Sequence, residues 1–592
     1  MFLVKFIHAC SRRLIALARH LVKQVKRSRL TWRYKSAFWL CLLACLACGL
    51  ILPLGAIAKL PPTLFATSTT SVSRSDPAID QVNDLEPRYS AKSTASQLAP
   101  LAPSNQPQLI DQQICAANLE AQIQKIIDDP ALARSRVGVY AVALNNDPND
   151  ELLVDIDGDR LFLPASNTKL FTTAAALQRL GTNFKFQTSL ASRLTPDRSG
   201  RLRAPLIVIS SGDPSLSPQQ IEDLVTQLKD AGVNAINNLE IQNPRQDNSN
   251  YFGYGWEWQD LPEYYGAEPH PLTVHENVLD WTIAPTQSGK AVEFTWADPL
   301  LAAGWVVRNY AATSKVDGEY TLTVQRVGFN KELILRGKMP ANATPELGAI
   351  AVPDPRQHFL KLLQAELRRQ GIELPGLVDI SNQLPPGITQ SMIVPTPGII
   401  GDVSNLATVS SPPLADLVKK INKDSNNLYA ELVLQALARR SRDRKIPQET
   451  ADQIYTQAIE QVTQFLDSLG ITPDSYAIAD GSGLSRHNLI APEAIVTLLE
   501  KMQNDQAFRD SLPIAAVDGT IRNRFKDTIA ANNLSAKTGT LSGVVTLSGY
   551  VTTVGGDEVA FSIMINNGNQ PTWQLRGYVD QIALLLANLG DC

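Results

Sequence analysis

A chain of 592 residues is longer than a single hydrophobic core usually supports, so several domains are expected. An apolar content of 44% and a charged content of 19% are typical of a folded protein and exclude a wholly disordered chain. Residues 1–58 carry ten Lys and Arg and no acid, which leaves 44 basic against 58 acidic residues in the rest of the chain. Because nucleic-acid binding requires a basic surface, this acidic body excludes DNA and RNA as expected partners.

The basic start of the chain predicts a membrane segment. Residues 1–35 form a basic leader, and an uncharged apolar run of 23 residues, 36–58, follows it. A run of this length can span a bilayer with its basic flank in the cytoplasm, whereas Ala56-Ile57-Ala58 also fits a signal-peptide cleavage site. The length of the leader favours an uncleaved anchor. Both alternatives predict export of the body to the periplasm or cell envelope, and an uncleaved segment would tether it to the inner membrane.

Residues 59–114 have the composition of a disordered linker, with 7 Pro and 13 Ser or Thr among 56 residues. Beyond it, Leu119 and Ile123 at helical spacing predict a first helix, and the alternating runs 137–144 and 152–156 predict a β-hairpin. Further helices are expected over Leu170–Leu180, Pro218–Ala231, Gln357–Arg369, Leu414–Ile421, Leu428–Arg439, Gln453–Leu469 and Gln574–Leu589. Strands are expected over Leu206–Ser210, in short runs between Val278 and Gly337, and over Val544–Val551 and Val559–Asn566. Helices and strands at both ends, around a middle of different character, predict one domain split by insertions.

The tetrapeptide Ser166-Asn167-Thr168-Lys169 is the first candidate for chemistry. It stands at the start of a predicted helix, where positions i and i+3 share a face, so the Lys amine is expected beside the Ser hydroxyl. A hydroxyl becomes a good nucleophile when a neighbouring base takes its proton, and a desolvated Lys can act as that base. By itself the tetrapeptide is a weak signal, because a Ser cap before a helical Lys is the more common explanation of this pattern.

Two further motifs follow in the chain. Ser425-Asn426-Asn427 stands at the head of the helix predicted from Leu428, and Lys537-Thr538-Gly539-Thr540 precedes the strand predicted from Val544. Each motif alone has a structural explanation, an N-cap for the first and a solvated turn for the second. Together, S-x-x-K, S-x-N and K-T-G in this order form the motif set of β-lactamases and penicillin-binding proteins.

The spacing of the motifs resembles one family in particular, the D-alanyl-D-alanine carboxypeptidase/endopeptidase family of class C low-molecular-mass penicillin-binding proteins. Ser166 and Ser425 lie 259 positions apart, much further than in a compact β-lactamase, and members of this family carry two inserted domains at that point. Three more segments match the family: Ser211-Gly212-Asp213-Pro214, Asp480-Gly481-Ser482-Gly483-Leu484-Ser485-Arg486 and Asp518-Gly519-Thr520. The resemblance covers the chain from about Cys115 to its end.

The resemblance implies an α/β (α+β) fold of the penicillin-recognising, β-lactamase-like type. Its antiparallel sheet is flanked by helices, and two smaller domains are inserted into it. The expected division is a catalytic domain of residues 115–190 and 396–592, an inserted domain II of residues 191–275 and 346–395, and an inserted all-β domain III of residues 276–345.

The implied activity is that of a serine-type D-Ala-D-Ala carboxypeptidase or endopeptidase, which acts on peptidoglycan stem peptides through an acyl-enzyme and is inhibited by penicillin. Ser166 would be the nucleophile and Lys169 its base, with Lys537 as a second positive charge that disfavours protonation of Lys169. Ser425 would relay a proton to the leaving D-alanine, and Asn427 would orient the substrate amide. The resemblance implies no metal and no organic cofactor.

The remaining implied roles concern substrate binding. Lys537 and Thr538 would hold the terminal carboxylate, and the backbone N–H groups of Ser166 and Thr540 would form the oxyanion hole. An acid, an aromatic residue and an Arg would receive the diaminopimelate side chain of the stem peptide. Ser542 stands where some members carry a longer amide. The residues implied in substrate binding are therefore Thr538, Gly539, Thr540, Asp260, Tyr265 and Arg486.

The cysteines suggest a disulfide. Four of the six precede the linker, and only Cys115 and Cys592 remain in the exported part, an even number that suits an oxidising compartment. In the family, the first and last helices of the catalytic domain pack side by side. The resemblance therefore implies a bridge between Cys115 and Cys592.

Two other functions remain as alternatives. A β-lactamase shares the acyl-enzyme chemistry, but the gap of 259 positions argues against it. A non-catalytic penicillin-binding sensor would keep the pocket without turnover, and the intact Ser166 and Lys169 argue against that. The balance between carboxypeptidase and endopeptidase action is left open by the sequence.

Overall fold

The structure, a computed structural model, describes residues 113–144, 151–242, 251–374, 403–440 and 451–590. The predicted leader and apolar run, almost all of the predicted linker, and Cys592 lie outside these residues. Within the described ranges, no helix combines the length and the apolarity needed to cross a membrane.

The helices in the described ranges are α1 Ala116–Ile127, α2 Thr168–Leu180, α3 Pro218–Asp230, α4 Pro355–Arg369, α5 Leu414–Lys423, α6 Asn427–Arg440, α7 Ala451–Ser468, α8 Pro492–Met502, α9 Gln506–Ser511 and α10 Thr572–Ala587. The predicted helices agree with these to within a few residues at their ends. The start of α4 lies before the predicted one because the Asp354 side chain caps it, accepting the Gln357 N–H at 2.9 Å. Pro355 suits the first turn, where no N–H is needed.

The strands in the same ranges are β1 Arg136–Ala143, β2 Glu151–Ile156, β3 Gln187–Ser192, β4 Arg201–Leu202, β5 Leu206–Ser210, β6 Ala235–Ile236, β7 Leu239–Gln242, β8 Val278–Ala284, β9 Glu293–Trp296, β10 Val306–Asn309, β11 Ala312–Ser314, β12 Thr323–Arg326, β13 Glu332–Arg336, β14 Lys338–Pro340, β15 Glu346–Ala351, β16 Ser404–Ser410, β17 Tyr476–Ala477, β18 Leu489–Ile490, β19 Ser535–Leu541, β20 Val544–Thr552 and β21 Glu558–Asn566. The predicted strands all appear among them. The sequence did not predict β3, β16 or β19, whose residues are mostly small and polar.

The main sheet is built from both ends of the described chain. Its strand order is β19-β20-β21-β1-β2, and every neighbouring pair is antiparallel. The central strand β21 is buried along nearly its whole length, as expected for a strand with both faces covered. One hydrophobic cluster covers one face with residues from α2 and α5 to α9, and a second covers the other face with residues from α1 and α10. The expected fold class, an antiparallel sheet flanked by helices, is confirmed.

The first and last helices lie together. Leu119 and Ile123 of α1 are fully buried in the same cluster as Val579 and Ile582 of α10. Just before α1, Ile114 forms a parallel β-bridge with Leu589, and its N–H donates to the Asn588 carbonyl at 3.0 Å. Cys115 is therefore held close to the C-terminal residues of the chain.

Cys115 is disulfide-bonded, and its partner lies outside the described residues, which contain no second cysteine. Cys592 remains the predicted partner. Thiol titration of the unfolded, unreduced exported domain is expected to find no free thiol, and Cys592→Ser should release one. A bridge closing a loop of this length is expected to stabilise the fold by about 5 kcal/mol at most, because it restricts the unfolded chain. Two free thiols per unreduced domain would rule the pairing out.

Two further bodies of sheet interrupt the chain between α2 and α5. A four-stranded sheet, in the order β16-β3-β5-β7, packs against α3 and α4 around a separate apolar cluster. A second body, from β8 to β15, has no α-helix and contains the sheets β15-β8-β9, β10-β13-β12 and β11-β14 around its own cluster. These clusters support the predicted division into a catalytic domain with two insertions.

The strand pairing suggests different boundaries from the predicted ones. Strand β16 pairs with β3, so Ser404–Ser410 belongs with the four-stranded sheet although the predicted catalytic segment starts at residue 396. Strand β15 pairs with β8, so Glu346–Ala351 belongs with the all-β body although the predicted domain III ends at residue 345. We propose that domain III extends to about Ala351 and that the second catalytic segment begins after Ser410. The proposed ends differ from the predicted ones because the pairing partners are distant in sequence.

Candidate active site

Ser166 lies in a 3₁₀ turn, Ala165–Asn167, directly before α2. The turn is closely packed against Gly483, where an added Cβ would stand only 1.8 Å from the carbonyl oxygen of Ala165. Gly483 also has a φ of 80°, a conformation that favours glycine. A side chain at this position would displace the turn that carries Ser166. The close approach therefore explains this glycine of the segment 480–486.

Lys169 lies on the first turn of α2 and is completely buried. Its Nζ atom is 2.8 Å from the Oγ atom of Ser166 and 2.6 Å from the Oδ1 atom of Asn427. A third acceptor, the carbonyl oxygen of Ser482, lies 2.6 Å away. The structure thus brings together the first motif, the second motif and the segment 480–486 around one amine.

The environment of Lys169 favours the neutral amine. Burial lowers the pKa of Lys169 from its ordinary value of 10.5 to about 7, against the opposing effect of the negative charges of Asp480 and Glu431. A lysine with a pKa near 7 is partly unprotonated at neutral pH, as a general base must be. The amine at 2.8 Å from the Ser166 hydroxyl is close enough to accept its proton directly.

Lys537 and Ser425 form a second pair in the site. The Nζ atom of Lys537 donates to the Oγ atom of Ser425 at 2.8 Å and to the Thr538 carbonyl at 2.8 Å. Burial holds the pKa of Lys537 well below its usual range, and the positive charge of Lys169 lowers it further. Ser425 stands just before α6 with a φ of 58°, an uncommon conformation for serine that is typical of constrained functional positions.

The third motif lies within a strand. Lys537 to Thr540 belong to β19, at the edge of the main sheet, where Lys537 pairs with Ser548 of β20. From the sequence, this motif was expected to precede the strand predicted from Val544, and no strand was predicted for the motif itself. The run Ser535–Leu541 lacks the alternation of large apolar residues that marks a strand, so its structure depends on pairing with β20.

The other residues of this motif differ in their surroundings. Thr538 donates from its hydroxyl to that of Thr520 at 2.8 Å, so Thr520 is a neighbour that the motif by itself does not indicate. Gly539 is buried against the nucleophile turn, and a Cβ there would stand 2.7 Å from the Pro164 carbonyl oxygen. Thr540 is exposed at the edge of the sheet.

The predicted side-chain pocket residues are neighbours. The Tyr265 hydroxyl donates to Asp260 at 3.1 Å, and the Tyr265 carbonyl accepts from the Asn427 Nδ2 at 2.9 Å. Arg486 does not pair directly with Asp260 but with Glu257, at 3.3 Å. Its guanidinium also donates to the Ser542 carbonyl at 3.1 Å.

The charges around Asp260 act in opposite directions. Burial raises the pKa of Asp260, while the Tyr265 hydroxyl bonded to it and the positive charge of Arg486 favour its ionised form. Glu257 adds a negative charge close by and was not predicted as part of the site. The sequence could have indicated Glu257, because it lies only three residues before Asp260 in a segment rich in aromatic and acidic residues.

Two buried carboxylates that were not predicted organise the segment 480–486. Asp480 accepts the N–H groups of Gly483 and Ser485, each at 2.7 Å, and is fully buried. Glu431 of α6 accepts the N–H groups of Gly481 and Ser482. The sequence did contain a signal for Glu431, because it lies four positions after Asn427 and so on the same face of the helix.

Comparison with known proteins agrees with these observations. The model of the D-Ala-D-Ala carboxypeptidase 3 (S13) family matches residues 119–589. The chain is 31% identical over 482 residues to the D-alanyl-D-alanine carboxypeptidase of Actinomadura sp. (strain R39), covering 79% of this chain and 84% of that protein. It is also 31% identical over 441 residues to the D-alanyl-D-alanine carboxypeptidase DacB of Haemophilus influenzae, covering 73% of this chain and 85% of that protein.

Solved structures show the same likeness. The crystal structure of penicillin binding protein 4 (dacB) from Haemophilus influenzae matches with a TM-score of 0.64 and 28% sequence identity, over 80% of this chain and 98% of that chain. The same protein complexed with a β-lactam matches with a TM-score of 0.61 and 27% identity, over the same shares of the two chains. The expected penicillin-recognising fold is confirmed by this match.

Proposed function

The chain belongs to the D-Ala-D-Ala carboxypeptidase 3 (S13) family, and we propose that Ser166 is the nucleophile with which it cleaves the D-Ala-D-Ala end of peptidoglycan stem peptides. The protein is a hydrolase, a serine DD-peptidase. One observation supports the assignment of Ser166 above all others. A fully buried lysine amine, which forms no ion pair with any residue in the described ranges, lies 2.8 Å from its hydroxyl.

Acylation begins with a proton transfer. Lys169 takes the hydroxyl proton of Ser166 while the Oγ atom attacks the carbonyl carbon of the penultimate D-alanine. The negative charge that develops on the carbonyl oxygen is received by the backbone N–H groups of Ser166 and Thr540. The proximity of Gly539 to the nucleophile turn supports this arrangement, because it holds β19 close to Ser166.

The C–N bond then breaks, and the leaving D-alanine amine needs a proton. Ser425 supplies it by relay: its hydroxyl gives its own proton to the amine and takes a replacement from Lys537, 2.8 Å away, while Lys169 keeps the proton of Ser166 until the serine is regenerated. The substrate's terminal carboxylate favours the protonated form of Lys537, which together with Thr538 binds it through charge-assisted hydrogen bonds. Water completes the cycle by hydrolysing the ester to Ser166, with the proton returning to the serine hydroxyl.

Asn427 has both ends of its amide engaged by protein groups. Its Oδ1 atom accepts from Lys169 and its Nδ2 atom donates to the Tyr265 carbonyl. Holding the Lys169 amine is therefore the role that the contacts support most directly. Orienting the substrate amide, the role implied by the resemblance, remains open to the second Nδ2 hydrogen and the second Oδ1 lone pair.

The natural substrate is tested by digestion of purified peptidoglycan, with the products identified by mass spectrometry. Loss of a terminal D-alanine from pentapeptide stems indicates carboxypeptidase action, and separation of crosslinked stems indicates endopeptidase action. Penicillin should block both. Rapid, steady turnover of penicillin without action on peptidoglycan would contradict the proposal and indicate a β-lactamase.

Asp260→Asn is expected to lower kcat/KM for diaminopimelyl substrates roughly ten- to a hundredfold, because it removes a charge-assisted bond to the free amino group. Substrates that lack this side chain should be cleaved at the wild-type rate. The matched control is Asp230→Asn, which changes an exposed carboxylate at the end of α3. An equal loss for both kinds of substrate would refute the role of Asp260.

We also propose that the protein works outside the inner membrane, where peptidoglycan lies. The basic leader and the apolar run 36–58 support export and a tether to the membrane. Fractionation of cells expressing the full chain tests this, with the tethered form expected in the membrane fraction and a shorter, soluble form expected if the segment is cleaved.

A further inference from the structure

Glu431 is a fully buried carboxylate that the proposed catalytic cycle does not use. It lies on α6, one helical turn after Asn427, so both side chains project from the same face of that helix. A buried carboxylate is costly unless polar partners satisfy it. The partners of Glu431 are therefore informative about what it does.

Those partners belong to the segment that contacts the general base. The N–H of Ser482 donates to the Oε1 atom of Glu431 at 2.8 Å, and the N–H of Gly481 lies 3.1 and 3.2 Å from its two oxygens. Thr172 of α2 holds the same segment from the other side, donating to the Gly481 carbonyl at 2.8 Å. The carbonyl of Ser482 then points at the Lys169 amine, 2.6 Å away.

The number of hydrogens on Lys169 gives this carbonyl a specific task. A neutral amine has two N–H hydrogens and one lone pair, whereas the ammonium form has three hydrogens and no lone pair. Asn427 Oδ1 and the Ser482 carbonyl can accept the two hydrogens of the neutral amine. The lone pair is then left facing the third neighbour, the hydroxyl of Ser166.

We propose that Glu431 is a positioning residue for acylation: it holds the Ser482 carbonyl in the place where that carbonyl orients the Lys169 lone pair toward Ser166. This inference rests on the proposed function of Ser166 and Lys169 and deepens it. Glu431 touches neither substrate nor nucleophile and acts through the segment 480–486. When ionised, Glu431 also affects the pKa of the Lys169 amine through its negative charge.

The charged and titratable groups that face Glu431 come from three elements. Lys169 lies on α2, Asp480 in the segment 480–486, and Tyr455, whose hydroxyl donates to the Tyr251 carbonyl at 3.1 Å, on α7. Burial, and after it the charge of Asp480, raise the pKa of Glu431 above its ordinary value. The N–H groups of Gly481 and Ser482, which donate to both carboxylate oxygens, favour the ionised form. Ionised Glu431 in turn raises the pKa of Lys169.

Glu431→Gln separates this role from a general loosening of the site. The amide oxygen can still accept the Ser482 N–H, but without charge, so the plateau rate of Ser166 acylation by a β-lactam is expected to fall about tenfold. In the pH range where Glu431 is ionised, the substitution removes a negative charge that raises the pKa of Lys169, so the acidic limb of the pH–rate profile should move to lower pH. Water entering a loosened site would move that limb to higher pH, toward the ordinary value for lysine.

Glu431→Asp provides the second variant. It keeps the charge but shortens the side chain, so the plateau rate should fall without the displacement of the acidic limb to lower pH. The matched control is Asp580→Asn on α10, a partly buried carboxylate bonded to Arg524 in the cluster on the other face of the main sheet. This control is expected to acylate at the wild-type rate.

The measurement is stopped-flow acylation across pH, with the dissociation constant of the initial complex recorded separately from the acylation rate. A lower rate at unchanged initial affinity supports the positioning role. Wild-type acylation rates in both Glu431 variants overturn it, and so does a displacement of the acidic limb to higher pH in Glu431→Gln. If the wild-type protein is not acylated at Ser166, the proposed function itself fails, which is a distinct result.

Discussion

Ser166→Ala is expected to abolish covalent labelling of the exported domain by a fluorescent penicillin and to reduce peptidase activity by roughly 10⁶-fold, the effect seen when a catalytic serine is removed from a serine hydrolase. The acyl-enzyme needs an oxygen nucleophile, and the described contacts place no other hydroxyl against the Lys169 amine. Gel fluorescence after incubation with the labelled penicillin measures the effect directly.

The variant should remain folded. The Ser166 hydroxyl caps no helix in this structure, and its side-chain hydrogen bond is with Lys169, so its loss is expected to change the free energy of unfolding by no more than about 1 kcal/mol. Ser411→Ala is the matched control, since this buried serine bonds the Phe186 N–H at 2.9 Å, outside the site. Persistent labelling of a folded Ser166→Ala protein would refute the assignment of the nucleophile.

Lys169→Met is expected to lower the rate of acylation about 10²- to 10⁴-fold, the usual contribution of a general base. Methionine fills a similar volume but cannot take the Ser166 proton. Single-turnover acylation by a β-lactam measures this rate without interference from product release. Lys229→Met, which changes an exposed lysine on α3, is the control and should acylate normally.

The same variant tests the lowered pKa of Lys169. Because that pKa is about 7 in the folded protein and ordinarily 10.5, the unfolded chain binds more protons between these values. The lowered pKa therefore destabilises the wild-type fold. This destabilisation is fully present below pH 7, decreases as the pH rises, and is absent above pH 10.5. Relative to wild type, Lys169→Met should thus be more stable at pH 7 than at pH 10 by chemical denaturation. A stability difference between Lys169→Met and wild type that does not vary with pH would show that Lys169 has an ordinary pKa in the folded protein.

Much of the catalytic assignment could be read from the chain itself. Ser166 and Lys169 are three positions apart at a helix start, so local geometry alone places the amine beside the hydroxyl. The order of the three motifs and the gap of 259 positions indicated the family, which the comparisons confirm. The pattern of apolar residues was likewise sufficient to predict the long helices and the strands β20 and β21. A helix buried on one face shows apolar residues at helical spacing, and a strand buried on both faces shows a continuous apolar run.

Pairing between distant segments could not be read in this way. The run Ser535–Leu541 has no strand pattern of its own and becomes β19 by pairing with β20. The strands β3 and β16 lie more than two hundred positions apart, and their pairing is the basis for the domain boundary proposed after Ser410. Such strands are defined by their partners, and the composition of a segment does not name its partner.

The chain by itself determined which groups are available for the chemistry: a serine, two lysines, a second serine and an asparagine in fixed order. Only the tertiary structure decided the state of those groups. Lys169 has a pKa of about 7 because α2, α6 and the segment 480–486 exclude water from it, and its other two acceptors come from positions 258 and 313 residues away. Desolvation depends on everything that surrounds a group in space, so a linear pattern can name a base but cannot show that it is buried enough to act as one.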